Sequence, residues 1–112
     1  MRINRAIAQR GQILRVLEEN RGIEVAVDFT VLLRTLDTLG ASLSAHDLRD
    51  CLRYLADKGY VALTRWRDLA AFRPDRLPRG GLRPDDIVSV KLSPAGLDLV
   101  QGSIPADPGI SF

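Results

Sequence analysis

The chain has 112 residues, 16 of them basic and 14 acidic, and a single cysteine. This length suits one domain, able to bury about two thirds of the surface its unfolded form exposes, and one thiol excludes an internal disulfide or a cysteine-based metal cluster. No apolar run approaches the roughly 18 residues of a membrane span, and the opening MRINRAIAQRGQ lacks the apolar centre of a secretory signal, so a cytoplasmic protein with no membrane partner is expected.

Ile3, Ile7, Leu14 and Leu17 recur at helical spacing, widened by Ile13 and Val16, and predict a first helix from about Asn4 to Asn20, ended by Arg21-Gly22. Gly11 within it costs about 1 kcal/mol against alanine, which points to close approach by another element. Ile23 to Val27, IEVAV, alternates as a short strand. Asp28 is placed to cap a second helix, about Phe29 to Leu39, in which Phe29, Leu32, Leu33, Leu36 and Leu39 repeat at three and four residues and Gly40 closes the run.

Ser44 to Val61, SAHDLRDCLRYLADKGYV, carries the densest set of signals. Ser44 can accept from the first free amides, Gly59 can end the last turn after Lys58, and Leu48, Cys51, Leu52 and Leu55 share one side. His46, Arg49, Asp50, Arg53 and Asp57 spread over the other. Cys51 on the apolar side reads as a packed thiol, with a redox-active one as the alternative. Ala41, Ser42 and Leu43 alone separate Gly40 from Ser44, the spacing of a helix-turn-helix.

Tyr60 to Trp66 reads as a strand and Ile87 to Leu92, IVSVKL, as its hairpin partner, separated by about twenty residues rich in proline and glycine, with at most a turn around Leu69 to Phe72. Ser93-Pro94 opens a last short helix to Gln101, with Gly102 after it. The domain thus covers residues 1–102, with the helix-turn-helix at about 28–58, the hairpin at about 60–92 and the last helix at about 94–101. The tail 103–112, SIPADPGISF, has no periodicity and is expected to be extended.

This order of elements resembles the winged helix-turn-helix family of DNA-binding domains over roughly residues 4 to 92. LRYLADKGYVALTRW is similar to the helix-glycine-aromatic-strand junction of MarR-like and ArsR-like bacterial regulators, and KLSPAGLDLVQGSIPADPGI resembles the ending of small winged-helix proteins of Mu-like phages and prophages. The resemblance implies an α+β, mainly α fold: a three-helix core, a β-hairpin wing and a short C-terminal helix. It implies a small transcriptional regulator whose third helix, Ser44 to Lys58, enters the major groove of duplex DNA while the wing, Trp66 to Asp86, lies on the backbone or minor groove. A wing of about twenty residues exceeds the usual handful.

Charge is concentrated in the same place. Fourteen of the sixteen basic residues are arginine, which suits phosphate and guanine, although a GC-rich genome alone would also raise arginine. Arg65, Arg67, Arg73, Arg76, Arg79 and Arg83 face only Asp68 and Asp75 between residues 65 and 83, a local excess of +4 against +2 for the whole chain. Arg79-Gly80-Gly81 suits a minor-groove tip; the alternative is a solvated loop. On the third helix Ser44, His46, Arg49, Asp50 and Arg53 are the candidate DNA contacts. His46 with Asp50, and Arg53 with Asp57, are also spaced as ordinary surface pairs.

Catalysis is not expected. One histidine, one cysteine and no motif-spaced carboxylates leave no acid-base or nucleophilic set, and Asp85-Asp86 suits turn formation and strand capping. No cofactor or metal is expected, since Gly80-Gly81 lacks the lysine-serine pair of a phosphate loop. A homodimer through the first and C-terminal helices is expected, with Leu97, Leu99 and Val100 contributing and Ile104 and Ile110 laid along a partner or along the chain's own core. The alternative function is a winged-helix adaptor that binds protein.

Overall fold

Burial of one apolar stripe per helix determines the architecture. In the computed structural model, which describes residues 2–69 and 83–112, the first helix, α1, spans Arg2–Glu19 and turns Ile13, Leu14, Val16 and Leu17 inward. The chain leaves it through Arg21, whose φ of 57° is left-handed, while Gly22 N–H donates to the Leu17 carbonyl at 2.6 Å.

That exit corrects the strand expected over Ile23 to Val27. The Glu24 and Val25 amides fold back onto the Arg21 carbonyl at 2.9 and 3.0 Å, so this stretch is a turn and Val25 is left 63% exposed. Strand β1 is only Val27–Asp28. It exists because the edge of a later strand is available to it, a non-local cause that alternation in the sequence does not report.

Helix α2 spans Phe29–Thr38 and buries Leu32 and Leu36. Leu39, expected in its apolar stripe, is instead the C-cap residue and is 59% exposed. Asp28 occupies the N-cap position in extended geometry but makes no side-chain cap hydrogen bond. After a turn, α3 spans Ala45–Asp57 and buries Leu48, Cys51, Leu52 and Leu55, the side read from the sequence. At its end Gly59 takes φ 80°, a conformation costly for residues with a Cβ, and lets the Tyr60 amide reach back to the Leu55 carbonyl at 2.9 Å. Burial pushes the Cys51 thiol up from its ordinary pKa, against the pull of the Arg10 charge, and its Sγ lies 4.0 Å from the Gln9 side-chain oxygen. It is a packed thiol.

Strand β2 is Val61–Arg65, one residue shorter at each end than expected, because Trp66–Asp68 form a single 3-10 turn. Strand β3 is Ile87–Leu92 and α4 is Pro94–Gln101, capped by the Ser93 hydroxyl. The sheet is antiparallel with order β1-β3-β2 and registers Val61↔Leu92 and Leu63↔Val90, irregular between Thr64 and Arg65. Val61, Val90 and Leu92 thereby close the helical core. The result is a mostly helical α+β fold with four helices and one three-stranded sheet among the described residues, and none of its helices is long and apolar enough to cross a membrane.

The tail is not free. Ile110 is buried, Ser111 N–H donates to the Ile7 carbonyl at 3.1 Å, an Arg10 guanidinium nitrogen donates to the Gly109 carbonyl at 3.1 Å, and Tyr60 O–H donates to Asp107 at 2.8 Å. A Cβ on Gly11 would collide with the Ser111 carbonyl, which is the close approach its sequence position implied. The tail therefore lies on the chain's own core, and the inward residues of α1 and α4 are consumed within one chain. A homodimer built on these two helices would have to use their remaining surface.

Burial acts to raise the Asp107 carboxyl, but the Gly109 N–H, the Tyr60 hydroxyl and the Lys58 and Arg10 charges outweigh it and hold it below the usual range. Tyr60 is raised, chiefly by donating to Asp107. Asp107 thus supports the tail above the ordinary aspartate value of about 3.9 and loses that support as pH falls through its lowered one, while Tyr60 supports it below about pH 10 and loses it as pH rises through its raised one. Protection factors at Ile110 and Ser111, exchange rates taken relative to the unstructured amide at the same pH, should be high across neutral pH and should fall in acid before those of the core amides; uniform loss of protection would contradict this. Gly11→Ala should release the same two amides while α1 itself gains up to about 1 kcal/mol of helix propensity, so the denaturation midpoint should move far less than tail protection does.

Candidate nucleic-acid interface

The turn from α2 to α3 is held at both ends and in its middle. Gly40 has φ 81° and Ser42 φ 44°, Ala41 N–H donates to the Leu36 carbonyl at 3.0 Å, and Leu43 plugs into the core. The Arg5 guanidinium donates to the Ser42 carbonyl at 3.0 Å, tying α1 to the turn. Ser44 Oγ accepts from Asp47 N–H at 3.0 Å and the Asp47 carboxylate accepts from Ser44 N–H at 3.3 Å, a reciprocal capping box. Asp47, which completes the S-x-x-D pattern, adds the second half to the cap that the sequence predicts at Ser44. Ser44 spends its acceptor on the helix, which leaves its hydroxyl proton for any outside contact.

Opposite the buried stripe, His46, Asp50, Arg53 and Asp57 are all exposed and form the outermost ridge of α3. His46 Nε2 lies 3.3 Å from Asp50, the pairing the sequence spacing allowed. The second expected surface pair does not form: among the described residues no ion pair joins Arg53 to Asp57, and Arg53 is exposed on this ridge. Arg49 sits to one side. It is half-buried, its guanidinium 5.8 Å from the Phe29 ring, and with Asp28, Thr30 and Asp86 it lines a cleft of about 300 Å³ between α2 and the start of β3. On the other flank His46, Asp47 and Asp50 face Arg5 and Gln9 of α1 across a groove of about 400 Å³. The five α3 candidates are therefore split over three directions.

The hairpin base is more ordered than its proline-rich sequence implied. Trp66 N–H donates to the Asp86 carbonyl at 2.9 Å and Arg67 N–H to that of Pro84 at 3.1 Å, so the two ends of the connecting segment leave the sheet side by side. Asp68 accepts from Arg65 N–H at 3.0 Å, and Asp86 from Arg83 N–H at 2.9 Å. Asp86 thus has the turn-forming role expected of it. Arg67 pairs with Asp85 at 2.9 Å, a contact no local spacing signalled because the loop brings the two together. Arg65 and Arg83 make no ion pair among the described residues. Arg73, Arg76, Arg79 and the Gly80-Gly81 tip lie outside the described residues, as does most of the expected Leu69 to Phe72 turn. Asp85 and Asp86 belong to the same hairpin connection, so over residues 65–86 six arginines meet four aspartates and the local excess is +2.

Among the described residues no three His, Cys, Asp or Glu side chains gather to hold a metal ion. No protein-family model, curated protein or solved structure matches this chain.

Because both halves of the capping box are made, Ser44→Ala should destabilise the fold by about 1 kcal/mol, measured by urea denaturation, and Asp47→Ala should cost a comparable amount. If both are silent, α3 does not depend on this cap.

Proposed function

We propose that this chain is a winged helix-turn-helix domain that binds duplex DNA, as a small transcriptional regulator. The observation that carries the reading is the continuity of α2, the tight turn, the doubly capped α3 and the β2–β3 hairpin, whose connecting segment bears five arginines beyond Arg65 at the end of β2. Duplex affinity comes mainly from neutralised phosphates, and arginine supplies both phosphate and guanine contacts. In this reading α3 enters the major groove with Arg53 and His46 foremost, Arg49 meets a phosphate near the start of α2, and Arg65 to Arg83 follow the backbone or minor groove. Reading a palindromic site requires two copies with their third helices about one helical turn apart.

The ridge of α3 nearest a groove carries no positive excess, because Asp50 and Asp57 outnumber Arg53. This observation favours a second reading, a winged-helix adaptor that binds protein through the same face. The two differ in salt dependence.

Labelled random duplex should bind the native protein at low salt and weaken steeply as salt rises. Arg73, Arg76, Arg79 and Arg83 all changed to alanine should lower the log–log salt slope by about 3. Asp50→Asn should tighten non-specific binding severalfold by removing a negative charge from the ridge, and Arg53→Ala should cost about 1–3 kcal/mol on a selected site. Binding that is absent at low salt, or indifferent to the four arginines, supports the adaptor instead.

A further inference from the structure

The seat of the C-terminal tail has the features of a peptide-binding groove. Its floor is Gly11, which lets a peptide backbone lie against α1. The Ile7 carbonyl accepts a backbone N–H from Ser111, and Arg10 donates to a backbone carbonyl, that of Gly109. The Arg10 guanidinium is stacked 3.6 Å from the centre of the Tyr54 ring, so α1 and α3 together aim it at the tail. The Tyr60 hydroxyl selects a carboxylate three residues before the aliphatic side chain that enters the core. Asp107 also accepts from Gly109 N–H at 2.8 Å, and Ile110 N–H donates to the Asp107 carbonyl at 3.0 Å, so the Asp-Pro-Gly-Ile segment holds its own bound shape.

The link between this segment and the domain is separate from the seat. Ser103 N–H still caps α4 by donating to the Asp98 carbonyl at 2.8 Å, but residues 104–106 make no backbone hydrogen bond among the described residues. Ser103, Pro105 and Ala106 are exposed, and Pro105 has no N–H to satisfy. A tail swung outward after Ser103 therefore gives up the seat contacts and the packing of the half-buried Ile104, and an identical tail from another molecule restores the seat contacts.

We propose that the groove between α1, α3 and the start of β2 is a peptide site that accepts the tail of a second copy of this chain as well as its own, and so joins two chains by tail exchange. Exchange swaps identical seat contacts and changes the conformation of residues 104–106, with the packing of Ile104 released in the process. A tether this short keeps its own tail at millimolar local concentration, so the intramolecular form dominates in dilute solution and exchanged pairs form when chains fold at high concentration. This would supply a two-fold assembly although the apolar stripes of α1 and α4 are already spent.

Two measurements decide it, and neither uses DNA. The native protein, refolded from denaturant at micromolar and at millimolar concentration, is diluted and sized by sedimentation. A dimer fraction that grows at least tenfold with refolding concentration and disappears in Ile110→Asp is expected, and monomer under every condition overturns the second copy as occupant. The synthetic decapeptide of residues 103–112 is then titrated onto the full-length Asp107→Ala/Ile110→Asp protein, whose own tail cannot seat. It should bind saturably and at least tenfold more tightly than it binds the native protein, and Ile110→Asp in the peptide should abolish binding. Where the double variant fails to fold, Ile110→Ala serves for the same comparison. No saturable binding to a folded variant overturns the peptide site.

Discussion

The burial of one side of α3 is the constraint from which the exposed surface follows. Leu48, Leu52 and Leu55 are fully inaccessible and Cys51 nearly so. Four such side chains remove from water an apolar area worth about 6–12 kcal/mol as an upper estimate, comparable with the whole stability margin of a domain this size. With that stripe fixed, the helical period leaves His46, Asp50, Arg53 and Asp57 no direction but outward. The same constraint reaches the sheet. Gly59 reverses the chain while Tyr60 stays bonded to Leu55, so Val61 enters the core opposite Leu92 and the hairpin leaves the body at a defined angle to α3. The Ser93 hydroxyl, donating to the Gly59 carbonyl at 2.6 Å, then sets α4 against the same junction.

Sequence reading succeeded where several local signals agreed. α3 has a capping serine, a stripe of three leucines and a cysteine and a terminal glycine, and β3 has uninterrupted alternation; the structure reproduces both spans almost residue for residue. It failed where the deciding interaction was distant or where a periodicity outlived its element. Ile23 to Val27 alternates, yet the left-handed exit at Arg21 turns it into a coil and leaves Val25 in solvent. Leu39 continues the α2 rhythm one step past the point where the helix stops. The tail carries no rhythm, and its anchors Arg10 and Tyr60 lie 99 and 47 residues from their partners, so no short window encodes them. Gly11, costly in a helix, was the one local hint. At the candidate interface the residue types were readable but their directions were not: the separation of Arg49 from Arg53 arises because Phe29 and β3 flank one side of α3.

The ion pairs on α3 and at the hairpin base contribute little to stability. His46 with Asp50 and Arg67 with Asp85 are exposed pairs, each worth at most about 1 kcal/mol. A phosphate can therefore take Arg67 from Asp85 at small cost, while the backbone hydrogen bonds of Trp66 and Arg67 keep the hairpin base in place. On the DNA-binding reading this divides the labour. The arginine-rich connection supplies affinity, and its net charge is moderated by Asp85 and Asp86, which limits indiscriminate binding. The ridge of α3, with two aspartates to one arginine, adds no attraction of its own. Its acidic members would penalise a misplaced phosphate and accept from a cytosine amine in the right register, so its contribution falls on orientation and specificity.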